Sequence, residues 1–293
     1  MSWKDGDTLW IKASGTWLAD AARKDVFVAV DLAHLRAAIA AGAMDVKPRT
    51  LDQGGLRPSI ETLLHALMPQ PVVVHLHAIE LLAHLVRADF PLSIDSRLGE
   101  RVRWVGAPYC KPGLALAQAV SAALARVPDA QVVLLQNHGV VIGADSAAQV
   151  DALLRAMLVR LAGESPPPLL PAVATPVTHP GYGLVDDPGI QQLALDPALF
   201  AHLAEHWALF PDHVVFLGPK AHFAFGQAEL VFAAGQGVYA RGPLSAAKLA
   251  QLRCYYDVLA RHTDGTALAT LNDHDVATLL DWDAEQYRMA LAN

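Results

Sequence analysis

Two apolar runs end in histidine. Val72-Val73-Val74 leads into His75-Leu76-His77, and Gln131 to Gln136 leads into Asn137-His138-Gly139. Side chains alternate across a strand, so Val73, His75 and His77 share one face. Two imidazoles two residues apart on one face are placed to hold one metal ion, with His138 as the third ligand. Three imidazoles leave zinc an open position. There the ion can act as a Lewis acid on a substrate oxygen. Pro58-Ser59-Ile60-Glu61 opens a helix that only Pro69-Gln70-Pro71 separates from the histidine strand, so a carboxylate comes within range of the metal. A base beside an electrophile suits proton abstraction next to a carbonyl and retro-aldol cleavage. Zinc-hydroxide hydrolysis, with Glu61 as base for water, fits the same spacing. So does a histidine pair that binds no metal.

Each remaining polar feature has a plain reading beside the functional one. Ser59 fits a helix N-cap, and Glu61 in a first turn is favoured by the macrodipole. The same N–H groups would hold an anion. Ala13-Ser14-Gly15-Thr16 is an ordinary turn or an anion-holding nest. Tyr109 and Lys111 sit in the rigid loop Gly106 to Gly113. Glu80 and His84 share a helix face without a metal-protease pattern. His34, His65, His202, His206 and His262 read as packed or half-exposed residues. Gly235-Gln236-Gly237-Val238-Tyr239-Ala240 has dinucleotide-fingerprint spacing but reads as a tight turn before a returning strand, so no nicotinamide cofactor is expected.

The elements that carry these residues alternate. Strands are expected at residues 7–12, 25–30, 72–77, 102–105, 131–136 and 139–143. Helices are expected from Asp31, a plausible N-cap, to about Ala41, from Ser59 to Met68, from Ala78 to Arg87 and from Leu114 to Ala125. Ser146-x-x-Gln149 is a capping-box pattern opening a helix to about Gly163. The proline-rich stretch from Ser165 to Pro180 marks a boundary. The expected organisation is a metal-binding domain over residues 1–164, a linker over 165–185, and a mixed α/β extension over 186–293 packing on the first domain. In that extension the expectation is a helix at 190–207, a strand at Val214-Val215-Phe216-Leu217, a hairpin from Leu230 to Ala240, and helices at 244–261 and 274–290.

Composition sets the outer limits. The 293 residues are 53% hydrophobic and 17% charged, with a net charge of -7. That describes a globular chain rather than a disordered one. Acids and bases are scattered without a basic stripe, so nucleic acid is not an expected partner. The alanine-rich segments are too short to span a membrane. Cys110 and Cys254 form no metal-type spacing, and without a signal peptide a reduced cytoplasmic setting is expected.

Trp10-Ile-Lys-Ala-Ser14-Gly15, Pro58-Ser59-Ile-Glu61, His75-Leu-His77, Pro108-Tyr109 with Pro112-Gly113, and Asn137-His138-Gly139 occur in an order that resembles the class II aldolase/adducin family. Phe210-Pro-Asp-His213 and Trp282-Asp-Ala-Glu-Gln-Tyr287 are similar to the aldolase half of proteins that join a rhamnulose-phosphate-type aldolase to a short-chain dehydrogenase. The resemblance implies a three-layer α/β/α sandwich around a mixed, mainly antiparallel sheet. It implies Zn2+, or another divalent metal, on His75, His77 and His138, with Glu61 as acid/base residue. Ser14, Gly15 and Ser59 match positions that hold a substrate phosphate. Asn137 is taken with the substrate-binding residues, and Tyr109 is the candidate proton donor. A sugar or sugar-phosphate substrate and a homo-oligomer, commonly a tetramer, are implied too.

Two departures stand out. The family normally has a Gly-Asn-x-Ser phosphate segment before the first motif strand, whereas this sequence opens on Met1-Ser2-Trp3-Lys4, with Ser2 as its expected remnant; either the start lies upstream or the phosphate site is incomplete. Glu61 lies closer to His75 than in simple sugar-phosphate aldolases. The expected activity is retro-aldol cleavage of a phosphorylated ketose. The alternatives are an epimerase or dehydratase of the same family, or an adducin-like interaction module, whose relatives lack the metal histidines.

Overall fold

The computed structural model describes residues 1–52, 54–99, 102–162, 177–262 and 265–292. It divides into two compact units, Met1–Leu81 with Pro91–Leu161, and Leu82–Phe90 with Ala162–Asn293. The proline-rich stretch expected as a linker falls outside the described residues as far as residue 176.

The first unit is built on seven strands: β1 (Ser2–Asp5), β2 (Thr8–Lys12), β3 (Phe27–Asp31), β4 (Val72–Leu76), β5 (Trp104–Ala107), β6 (Val132–Leu135) and β7 (Gly139–Ala144). Their spatial order is β3-β2-β1-β4-β7-β6-β5. Only β5 and β6 run parallel; the other neighbours are antiparallel. A parallel pair cannot be closed by a tight turn, and helix α5 (Leu114–Arg126) makes that connection. The helices before it are α1 (Leu32–Ala40), α2 (Thr62–Leu67), α3 (Ile79–Leu85) and α4 (Leu92–Leu98); α6 (Ala147–Leu161) follows β7. Leu64 and Met68 join Leu116 and Val120 over Val73, Val133 and Val141, so α2 and α5 cover one sheet face. Helix α6 packs on β7 and β4. The result is the expected α/β architecture around a mixed, mainly antiparallel sheet.

Local signals fix several boundaries. Asp31 caps α1 by accepting a hydrogen bond from His34 N–H at 2.8 Å. Ser146 Oγ accepts from Gln149 N–H, and the Gln149 side chain accepts from Asp145 N–H, closing the capping box. Strand β1 was not among the sequence expectations. It lies in mid-sheet between β2 and β4. Its turn, Gly6-Asp7, is a two-residue hairpin loop with Gly6 at φ 55°, and Trp3 stacks on Trp10 with ring centroids 5.7 Å apart.

The second unit carries β8 (Gly183–Leu184), β9 (Leu230–Ala233) and β10 (Gly237–Ala240) in the order β8-β10-β9. Its helices are α7 (Pro188–Leu195), α8 (Pro197–Glu205), α9 (Pro211–Leu217), α10 (Ala246–Leu259), α11 (Asp273–Leu280) and α12 (Asp283–Ala292). Val214 to Leu217, expected as a strand, is the second half of α9. A short apolar run buried on all sides has no period to read. Pro211 at the first helical position decides the matter. The single helix expected at 190–207 is broken by Pro197. Asp196 recaps it there by accepting from Ala198 and Leu199 N–H. The helix expected at 274–290 is likewise two, α11 and α12. The expected hairpin is present: Gly235 and Gly237 turn it at φ 70° and 133°, and Val238 to Ala240 is strand rather than helix.

Two motifs of this unit meet. Arg288 bonds Asp212 at 3.0 Å and Glu285 at 3.0 and 2.9 Å. His213 is fully buried against Trp207, Phe210 and Tyr255, with ring centroids at 4.3, 5.5 and 4.2 Å. Neither of its ring nitrogens has a hydrogen-bond partner. Burial drives its pKa down to about 3, so it is a neutral ring at ordinary pH.

Candidate metal centre

The site forms where β4 ends beside the β6–β7 hairpin. Residue pairing sets His75 opposite Val141 and Leu76 opposite Val140. His75 therefore shares the face of Val73, which α2 and α5 cover, while His77 follows just beyond the strand end. Asn137 makes the hairpin turn in the left-handed region at φ 51°, and His138 N–H donates to Leu135 O at 3.1 Å. Asn137, not Gly139, bears the positive φ of this turn. Gly139 is needed for another reason. A Cβ there would stand 2.6 Å from Leu76 O, 2.7 Å from His77 Cδ2 and 3.0 Å from His75 Cε1. The absent side chain lets the histidine strand lie close.

The three rings pack edge to face, with centroids 4.9, 4.9 and 5.2 Å apart. One nitrogen from each falls within 4.8 Å of the others. His75 Nδ1 donates to Val140 O at 3.1 Å, because a carbonyl can only accept. That fixes the neutral tautomer, and the lone pair of His75 sits on Nε2. This Nε2 lies 3.0 Å from His77 Nε2 and 3.4 Å from Glu61 Oε2, and the other Glu61 oxygen lies 3.3 Å from His138 Nε2. Three neutral imidazoles converging in this way are a donor set that fits a divalent metal such as zinc, with the Glu61 carboxylate beside them.

Helix α2 delivers Glu61 to this point. It begins at Thr62, later than expected, and Glu61 occupies its N-cap position. Ser59 Oγ accepts from Glu61 N–H at 3.2 Å, and Ser59 O accepts from Thr62 N–H at 3.0 Å. The Ser14-Gly15 turn lies beside this one. Ala13 bridges Pro58, and Ser14 N–H donates to Arg57 O at 2.9 Å. The Ser14-Gly15 and Pro58-Ser59 segments are thus neighbours, and the Ser14 N–H is committed to Arg57. Lys12, which sequence reasoning passed over, holds the turn through Ala13 O at 2.9 Å and Thr16 O at 2.7 Å. Its place inside Trp10-Ile-Lys-Ala-Ser14 was the signal. Tyr109 follows β5, and Ala107 O accepts from Gln136 N–H at 3.0 Å, so its loop is tied to the hairpin that carries His138. Asn137 is buried beneath the turn.

Parts of this chain are similar to known proteins. A stretch of 142 residues is 30% identical to the uncharacterized oxidoreductase YuxG of Bacillus subtilis (strain 168), covering 46% of this chain and 20% of that protein. The chain thus spans about a fifth of that relative. Among solved structures, the N-terminal class II aldolase domain of a conserved protein from Thermoplasma acidophilum matches with TM-score 0.44 and 24% identity, over 55% of this chain and 78% of that one. An aldolase II superfamily protein from Pseudomonas syringae matches with TM-score 0.40 and 20% identity, over 55% and 62%. Residues 1–160, the span that holds every residue of the histidine and carboxylate cluster, match the class II aldolase and adducin N-terminal domain, and the chain belongs to that family.

Proposed function

We propose that the first unit is a zinc-dependent lyase that cleaves a phosphorylated ketose by a retro-aldol reaction. The observation that carries this reading is the Glu61 carboxylate standing 3.4 and 3.3 Å from the nitrogens of His75 and His138. A base there reaches any ligand atom that the three imidazoles help to hold. Zinc bound by His75, His77 and His138 supplies a Lewis acid that polarises the substrate carbonyl. Glu61 then accepts the hydroxyl proton whose loss accompanies carbon–carbon cleavage, and returns a proton to carbon afterwards. The burial of Glu61 and His138 keeps water from competing for that proton. Ser14, Gly15 and Ser59, with the Lys12 cation, are the groups we assign to a substrate phosphate. Tyr109 is the group we assign to hydrogen-bond the oxygen of the leaving aldehyde, without adding a further proton.

The test is a product-resolved assay on ketose phosphates with the zinc-loaded protein, beside Glu61→Gln. The expected result is an aldehyde plus a triose-phosphate-like fragment. The variant keeps its zinc and loses on the order of 10²–10⁴-fold in turnover. Full activity in the variant overturns the role of Glu61. Epimerised or dehydrated products place the chain with the other chemistries of its family.

A further inference from the structure

Strand β1 touches helix α2 at two places, and neither contact takes part in the proposed chemistry. Ser2 Oγ bonds His65 Nδ1 at 2.8 Å, with Ser2 0% and His65 2% exposed. Both groups are sealed from water, where an unmade hydrogen bond costs most. Lys4 Nζ donates to Met68 O and to Gln70 O, the carbonyls that follow the end of α2. One strand thereby grips both the middle and the C-terminal end of a helix only six residues long. Such a helix is too short to hold itself.

The grip lies on the line between the base and the metal ligands. His65 N–H donates to Glu61 O at 3.2 Å, one turn along α2. Ser2 pairs with Val73, two residues before His75 on β4. Glu61 is thus connected to His75 by a closed loop of contacts: Glu61 to His65, His65 to Ser2, Ser2 to Val73, and along β4 to His75.

We propose that the Ser2–His65 hydrogen bond and the Lys4 contacts are a positioning clamp that sets Glu61 against the metal-binding nitrogens. Ser2 and His65 are positioning residues that act through Glu61. This rests on the metal reading above. Loosening the clamp leaves the three histidines on the sheet, so metal still binds while Glu61 loses its place beside it.

The test uses the full chain loaded with cobalt(II), whose visible spectrum reports the groups around the ion and needs no substrate. Parent, Glu61→Gln, Ser2→Ala, Ser2→Thr and His65→Leu are compared at full cobalt occupancy. Glu61→Gln is expected to shift the visible bands. Ser2→Ala and His65→Leu shift them in the same direction, and Ser2→Thr, which keeps the hydroxyl, restores the parent spectrum. Turnover, where a substrate is in hand, falls on the order of 10-fold in the clamp variants. If Ser2→Ala and His65→Leu lower the melting temperature yet keep the parent spectrum, the contact is structural and the proposal is overturned. A parent-like spectrum in Glu61→Gln also overturns it, while leaving the metal site standing. A parent that binds no cobalt removes the metal reading and the clamp together. Should His65→Leu fail to fold, Lys4→Met loosens the other end of α2 and is read in the same way.

Discussion

The two units bury histidine in opposite ways. In the first, His75, His77 and His138 turn nitrogens toward one another and toward Glu61, and a backbone carbonyl fixes the tautomer of His75. In the second, His213 is closed in by Trp207, Phe210 and Tyr255 and bonds to nothing through its nitrogens. In the same unit the charges of Asp212 and Glu285 are spent on Arg288, which is held between them. Burial alone therefore does not mark a site. Convergence of lone pairs does, because only then is there something for a cation to bridge.

Four substitutions bear on this contrast. His75→Ala should have the largest effect. It removes a ligand, so metal affinity falls by more than the roughly 10–100-fold of an outer-shell change. Metal analysis of the purified protein should find the parent loaded and the variant bare; a loaded variant would break the contrast. Arg288→Met should leave metal binding intact and destabilise the chain by about 3 kcal/mol, since two carboxylates lose their counter-charge. Denaturant unfolding measures this, and an unchanged midpoint would mean that Asp212 and Glu285 are solvated. Gly139→Ala should cost about 1–3 kcal/mol by forcing atoms apart, with a larger loss in melts run with metal than without. Equal losses would place the strain outside the metal site.

The last prediction concerns acid. His213 has a folded pKa of about 3, below the ordinary 6.5 of a free imidazole, because burial penalises its charge. The unfolded chain takes up a proton that the native ring refuses. Stability should therefore fall as pH drops from 6.5 toward 3, by up to about 1.4 kcal/mol per pH unit. His213→Phe should flatten that slope, and a slope unchanged from the parent would show that the ring charges in place. His65 contributes with the same sign in the first unit, since burial holds its pKa well below 6.5.

The cluster of His75, His77 and His138 was legible because the positions of these residues follow from local rules. Alternation on β4 and the end of an apolar strand at Asn137 needed no knowledge of the rest of the chain. Asp31, Ser146 and Gln149 were legible for the same reason, since a cap is read from its own turn. What could not be read depends on partners distant in sequence. β1 is a short strand whose place in mid-sheet depends on β4, although its Gly6-Asp7 turn between Trp3 and Trp10 was a usable signal. Val214 to Leu217 carries no period because α9 is buried on several sides. The need for Gly139 could not be read either, because the close approach of Leu76, His77 and His75 to it depends on the position of β4. His65 read as an ordinary packed histidine until Ser2 appeared opposite it.

The pairing of His75 with Val141 has a consequence for how this chain can change over generations. A strand has a period of two, so deleting one residue between Pro71 and His75 would carry both histidines to the far side of the sheet. No side-chain adjustment could bring them back. Pairs of deletions or none are what this segment can absorb. The histidines are thus protected less by their own chemistry than by the parity of the strand that carries them.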